Sequence, residues 1–214
     1  IVRMPVEVRH MGSKYPIFSF DFTGAKRGVL PASYDYLRLE GRMQYRLNLP
    51  PIGYSQLMLE GGKIFGKVPY LLLKLHEGNG TYFYDRYAFS CMNFYEFSSD
   101  AWISFFYEHH FNGFLLGRVP LLKKLNWREV FVFKGVYGTL SARNDGSLPN
   151  TKAVMLFPVG MSSVEHPYLE TGFGIENIFR LLRVDCIWRL THHRAVPGLS
   201  IPTFTVNFSL NLKF

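Results

Sequence analysis

Histidines, serines, cysteines and paired acids are the residues with which this chain could do chemistry, and their spacing gives little to build on. Two adjacent pairs, His109 with His110 and His192 with His193, invite a metal reading. Neighbours on a strand point to opposite faces, so an adjacent pair cannot close on one ion. Glu108 and His110 do share a face, and could meet an acid from a neighbouring strand. A hydrogen-bonded network is the simpler reading of these residues, and no metal is assigned. A hydrolase would need a serine and a histidine in reach at a strand end. GxSxG and HExxH are absent, and Ser13 by His10 and Ser163 by His166 sit in expected loops without distinguishing context. The glycines of Gly172–Asn177 (GFGIEN) lack the third glycine and the βαβ setting of a dinucleotide loop, so close strand packing explains them better. Cys91 and Cys186 form no CxxC spacing and read as small hydrophobes inside apolar strand patterns. No enzyme activity and no cofactor are expected.

The composition favours faces over sites. Of 214 residues, 48% are hydrophobic, 17% aromatic and only 19% charged, below the roughly 25% charge usual for a soluble domain. The net charge of +8 admits nucleic acid, an anionic lipid surface or arginine-rich polar faces. Aromatic and basic residues lie on opposite strand faces, which argues against nucleic acid.

The elements that must position these side chains are strands. In Tyr34–Leu47, Leu37, Leu39, Met43, Tyr45 and Leu47 alternate with Arg38, Glu40, Arg42, Gln44 and Arg46. In 182–190, Leu182, Val184, Cys186, Trp188 and Leu190 alternate with Arg183, Asp185 and Arg189, with Ile187 the one intruder. The last twelve residues, TFTVNFSLNLKF, place Phe204, Val206, Phe208, Leu210, Leu212 and Phe214 on one parity. Further strands are expected at 16–24, 54–67, 87–97, 101–111, 127–140 and 168–178. Helical turns are expected after the prolines of VPYLLLKL and VPLLKKLN. No segment is apolar for long enough to be a membrane helix.

Strands near ten residues long with one oily and one charged face fit a bilayer crossing, where an open edge is costly and strands close into a barrel. Trp102, Trp127, Tyr34, Tyr45, Tyr54 and Tyr87 fall near strand ends, as interfacial girdles require. A soluble sandwich or lipocalin-like barrel also alternates, but with shorter strands. The fold expected is all-β: an antiparallel transmembrane β-barrel with residues 1–214 as a single domain.

The stretches GKIFGKVPYLLLKLHEGNGTYFYDRYAFSCMNFYEFSSD (62–100) and HHFNGFLLGRVPLLKKLNWREVFVFKGVYG (109–138) resemble the C-terminal barrel of a Bacteroidetes outer-membrane family of unknown function. Its members carry an N-terminal carboxypeptidase-regulatory-like domain. YLETGFGIENIF, LLRVDCIWRL and the final strand are more weakly similar to BamA-type barrel-assembly factors, and the alternating ending, Phe204, Val206, Phe208, Leu210, Leu212 and Phe214, resembles an outer-membrane insertion signal. The resemblance implies the C-terminal part of a larger barrel in the bacterial outer membrane, with a role in envelope biogenesis or assembly. A passive or anion-selective pore is the alternative. Expected partners are outer-membrane lipid and lipopolysaccharide, with other outer-membrane proteins or lipoproteins. Arg38, Glu40, Arg42, Arg46, Arg183, Asp185 and Arg189 are expected to face the lumen. IVRMPVEVRH at the start lacks the features of a leader peptide, leaving a leader already removed or a start inside a longer protein.

Overall fold

The computed structural model describes residues 15–28, 33–164, 166–193 and 200–210. Period-two alternation produces eight long strands: β1 (Ile17–Ala25), β2 (Tyr36–Asn48), β3 (Tyr54–Gly66), β6 (Ala101–His110), β7 (Arg128–Thr139), β9 (Tyr168–Ile178), β10 (Leu182–Arg189) and β11 (Phe204–Leu210). They form one sheet in the order β1-β2-β3-β6-β7-β9-β10-β11, every neighbouring pair antiparallel. A small second sheet joins β4 (Lys74–Leu75), β5 (Phe97–Ser99) and β8 (Ser162–Ser163) in the order β4-β5-β8. The two expected turns after proline form a 3-10 turn at Tyr70–Leu72 and a short α-helix, α1 (Pro120–Lys123).

Register carries one parity across the sheet. Arg42 lies opposite Glu60, Glu60 opposite Ser104, Lys134 opposite Glu170, and Asp185 opposite Asn207. Glu60, Ser104, Lys134, Glu170, Asp185 and Asn207 are buried, whereas Phe20, Phe22, Phe173 and Leu210 on the other parity are 69%, 75%, 60% and 62% exposed. The usual arrangement of a water-soluble sheet is thus reversed: charges lie under cover and large apolar groups face out. On the eight long strands the outward parity carries only three acidic or basic residues, Lys63, His109 and Glu129, each near a strand end.

The cover is the connection from β3 to β6, residues 67–100, lying across the inner face. Met58, Phe106, Val136 and Tyr168 from the sheet pack with Phe89, Met92 and Phe97 of the connection, and with Val164. Trp102 packs with Ile64, Val68 and Leu73. No strand forms at 87–96, against expectation, because remote side chains claim the backbone there. Glu170 accepts the amides of Ser90 and Cys91 at 2.8 and 2.7 Å, and Arg189 donates to the Cys91 carbonyl at 3.1 Å. Tyr95 takes a left-handed φ of 59°. With the Ser90 and Cys91 groups met by side chains, the bridge that Phe89 makes with Gly78 does not extend into a ladder. Trp102, Tyr54 and Tyr87 also depart from the expected girdle: Trp102 is buried, Tyr54 stacks on His110, and Tyr87 packs against Phe106. Ile187 keeps strict alternation, its side chain being buried beside the charges of β10.

β1 and β11 are the edges of the eight-stranded sheet. The edge of β11 is met at one point by the connection: the Phe208 amide donates to the Tyr82 carbonyl at 2.7 Å, and the Tyr84 amide donates to the Phe208 carbonyl at 2.8 Å. Leu212 and Phe214 lie outside the described residues.

Candidate functional site

Arginine and glutamate on the inward parity create the main polar assembly. Glu108 of β6 is 1% exposed; it accepts from Arg86 at 2.8 Å, from Arg183 at 3.3 Å and from the Tyr84 hydroxyl. Arg183 is also held by both oxygens of Asp185, at 2.8 and 3.0 Å. His110 stands 3.4 Å from Glu108 through Nε2 and 3.2 Å from Glu176 through Nδ1. The guanidinium of Arg183 and the ammonium of Lys134 lie 4.4 and 4.5 Å from the Tyr84 ring centre. Burial, and then the Glu108 carboxylate, push the Tyr84 phenol well above its usual range, so it remains a donor. At Arg86 burial opposes the charged form, yet the same carboxylate outweighs it and holds the guanidinium charged.

Lys134 anchors the connection next to this group, donating to the carbonyls of Asp85 and Ala88 at 2.7 and 2.6 Å. Further along, Arg189 holds Glu96 at 2.6 Å and the His192 carbonyl at 2.7 Å. The side chains of Glu108, Lys134, Glu170 and Arg189 together fix the connection to the sheet. Burial, with the Glu170 carboxylate, pushes the Cys91 thiol in this segment up to about 12. Cys91 and Cys186 are both free.

At the end of the sheet carrying the β2–β3 and β9–β10 turns, a cleft of about 700 Å³ opens above the assembly. Its walls include five arginines, Arg46, Arg86, Arg128, Arg180 and Arg183, while Glu176 is the one acid in the lining. Arg46 lies 4.1 Å from the centre of the Tyr54 ring, which itself stacks on His110 at 4.5 Å. The β2–β3 turn admits only glycine at Gly53, whose φ is +105° and where a Cβ would fall 1.8 Å from the His110 carbonyl oxygen.

The residues singled out in the sequence divide. Arg183 and Asp185 join the buried assembly and Arg46 lines the cleft, but Arg38 pairs with Glu40 at 2.6 Å, Arg42 with Glu60 at 2.7 Å, and Arg189 with Glu96. Phe204, Phe208 and Leu210 are exposed and Val206 is half-buried, all on the outward parity. Lys134 and Glu170 were not singled out, although both interrupt apolar or glycine-rich inward runs and face each other in register. Arg86 and Arg180 fall in turns, where alternation says nothing, and Arg128 opens β7 opposite Glu176.

Two serine–histidine contacts exist that sequence spacing does not suggest. Ser55 Oγ lies 2.8 Å from His109 Nδ1, and Ser99 Oγ lies 2.9 Å from His76 Nε2. His109 presents Nε2 to the Ile52 carbonyl at 3.0 Å. Ser55 is 4% exposed and Ser99 is fully buried, so neither hydroxyl is open to a substrate. Burial, and then Lys74, hold His76 down at about 3, so it is a poor base. Among the described residues no three His, Cys, Asp or Glu side chains are arranged to hold a metal ion.

A search of curated proteins finds no match to this chain. The model of the C-terminal domain of a family of unknown function, DUF5686, matches residues 2–142, which spans β1 to β7 and the whole inner connection. The cleft is therefore built partly from the matched strands β2, β3, β6 and β7 and partly from β9, β10 and β11 beyond them. Since that match covers well over half of the sequence, the chain belongs to the DUF5686 family through its C-terminal domain.

Proposed function

We propose that this chain is part of an integral bacterial outer-membrane β-barrel without catalytic activity, serving envelope biogenesis or assembly. The reversed polarity of the sheet carries the reading. An outward face with acids or bases only near strand ends suits hydrocarbon, and a charged inward face suits a lumen. A meander of long antiparallel strands is the topology such barrels use. The chain would supply the C-terminal strands, and strands from upstream would close the cylinder between β1 and β11. The resemblance to a Bacteroidetes family with a carboxypeptidase-regulatory-like domain supports a soluble module upstream. Lipid and lipopolysaccharide would surround the outward face, and other outer-membrane proteins or lipoproteins would be the partners. Short turns mark the periplasmic side of such barrels, which would put the arginine cleft at the periplasmic mouth. The connection 67–100 would then fill the lumen and oppose free conduction.

Full-length protein in detergent should migrate differently before and after boiling, and should remain with outer-membrane vesicles after carbonate washing. Unchanged migration together with release by carbonate would reject the membrane reading. The second reading, an anion-selective pore, draws on the excess arginine of the cleft. Steady anion current across planar bilayers, lost in Arg46→Glu, would favour it over the assembly role.

A further inference from the structure

The five guanidiniums of the cleft are not equally engaged. Arg183 is held by Asp185 and Glu108, and Arg86 by Glu108. Arg46, Arg128 and Arg180 make no ion pair with any described residue, and the one acid in the lining, Glu176, is occupied by His110. Counting Glu108 and Asp185 beneath the lining, three carboxylates face five arginines, so the site carries net positive charge at neutral pH. Positive charges gathered around a concave wall repel one another unless an anion enters. The neutral side chains that share the wall, Asn48, Asn112, Asn177 and Ser209, add hydrogen-bonding groups of no charge.

The donor type narrows the anion. A guanidinium presents a planar fork of N–H groups that matches two oxygens of one phosphate, and several forks can share a tetrahedral group. The volume, about 700 Å³, lies in the ~300–1,000 Å³ range of ligand pockets and exceeds what a simple inorganic ion fills. Tyr54 and Tyr84 give the wall aromatic surface, but both rings already carry cations, at 4.1 Å from Arg46 and 4.4 Å from Arg183. Their faces are therefore committed to positioning arginine.

We propose that the cleft binds a phosphate-bearing ligand, a phosphate ester gripped by Arg46, Arg128 and Arg180 over a base fixed by Arg86 and Arg183. This assignment rests on the cleft's own charges and holds whether or not the sheet lies in a bilayer. The phosphate could belong to a lipid headgroup or to a water-soluble molecule, and one experiment separates them. Full-length protein in an uncharged maltoside detergent is titrated calorimetrically with inorganic pyrophosphate and with short-chain phosphatidylglycerol. Phosphatidylcholine of equal chain length controls for detergent-like association.

Saturable binding that weakens by about tenfold or more in Arg128→Gln, and again in Arg128→Gln/Arg180→Gln, is expected for the loss of charge-assisted bonds. These two side chains lie outside the buried assembly, so unchanged circular dichroism should accompany the loss. Pyrophosphate binding without phosphatidylglycerol binding assigns a soluble ligand. Competition between the two, with phosphatidylglycerol the tighter, assigns a lipid headgroup. Absence of saturable binding of both probes by the parent protein overturns the proposal, as does binding that the double variant leaves unaltered.

Discussion

Glu108 shows how unequal the charges of this protein are. It is 1% exposed and serves two guanidiniums and a phenol, so neutralising it leaves buried cations without their counter-charge. Glu108→Gln should cost about 3–5 kcal/mol, the range for breaking one side of a buried pair. Arg42→Gln removes a pair whose arginine is half-exposed, and should cost about 1 kcal/mol or less. Urea titrations of the two variants refolded into vesicles test the contrast, and equal losses would contradict the burial argument. His76 makes a separate prediction. Its pKa is depressed from an ordinary 6.5 to about 3 by burial and Lys74, so between those values the unfolded chain binds a proton that the folded one refuses. Stability from this group is complete above pH 6.5 and is lost as pH falls toward 3, by at most about 1.4 kcal/mol per pH unit. His76→Gln should be the flatter of the two proteins between pH 6.5 and 5 when their unfolding free energies are compared, and parallel curves would remove His76 from the account.

At the scale of elements, the sheet was readable and its lining was not. β2, β10 and β11 announce themselves because a two-residue period assigns every side chain to one of two faces, and even Ile187 obeys it. The irregular path of 87–96 left no such trace, since its backbone is met by Glu170 and Arg189, some eighty to a hundred residues away. Nor could spacing gather the cleft, whose arginines come from β2, the connection, β7, the β9–β10 turn and β10. Lys134 should be decisive for how tightly the connection is held, being fully buried and bonded to two of its carbonyls. Lys134→Met keeps the stem's volume but loses both bonds, so trypsin should cut after Arg86 severalfold faster in the variant. An unaltered cleavage rate would mean that Glu170 and Arg189 hold the segment by themselves.

For the whole molecule the outward face is the quantity to challenge. Phe173 sits on β9 with its ring 60% exposed and packs at 5.2 Å against Phe131 of the next strand. If that face meets hydrocarbon, Phe173→Lys should cost about 2–4 kcal/mol in a bilayer-refolding titration, the cost of a charge near the midplane of a barrel wall. A face in water would accept the lysine almost freely, and that result would favour a soluble sheet. The edge of β11 adds a consequence of another kind. Phe208 is bonded through both its backbone groups to Tyr82 and Tyr84, and by the alternation of the ladder Phe204, Val206 and Leu210 turn toward the same side. Any strand extending the sheet past β11 would offer Phe208 the same two bonds that the connection now supplies, and would release the Tyr84 amide and the Tyr82 carbonyl, which must then find other partners. A strand joining this edge must therefore first displace the chain's own backbone at Phe208, which guards the open rim against casual pairing.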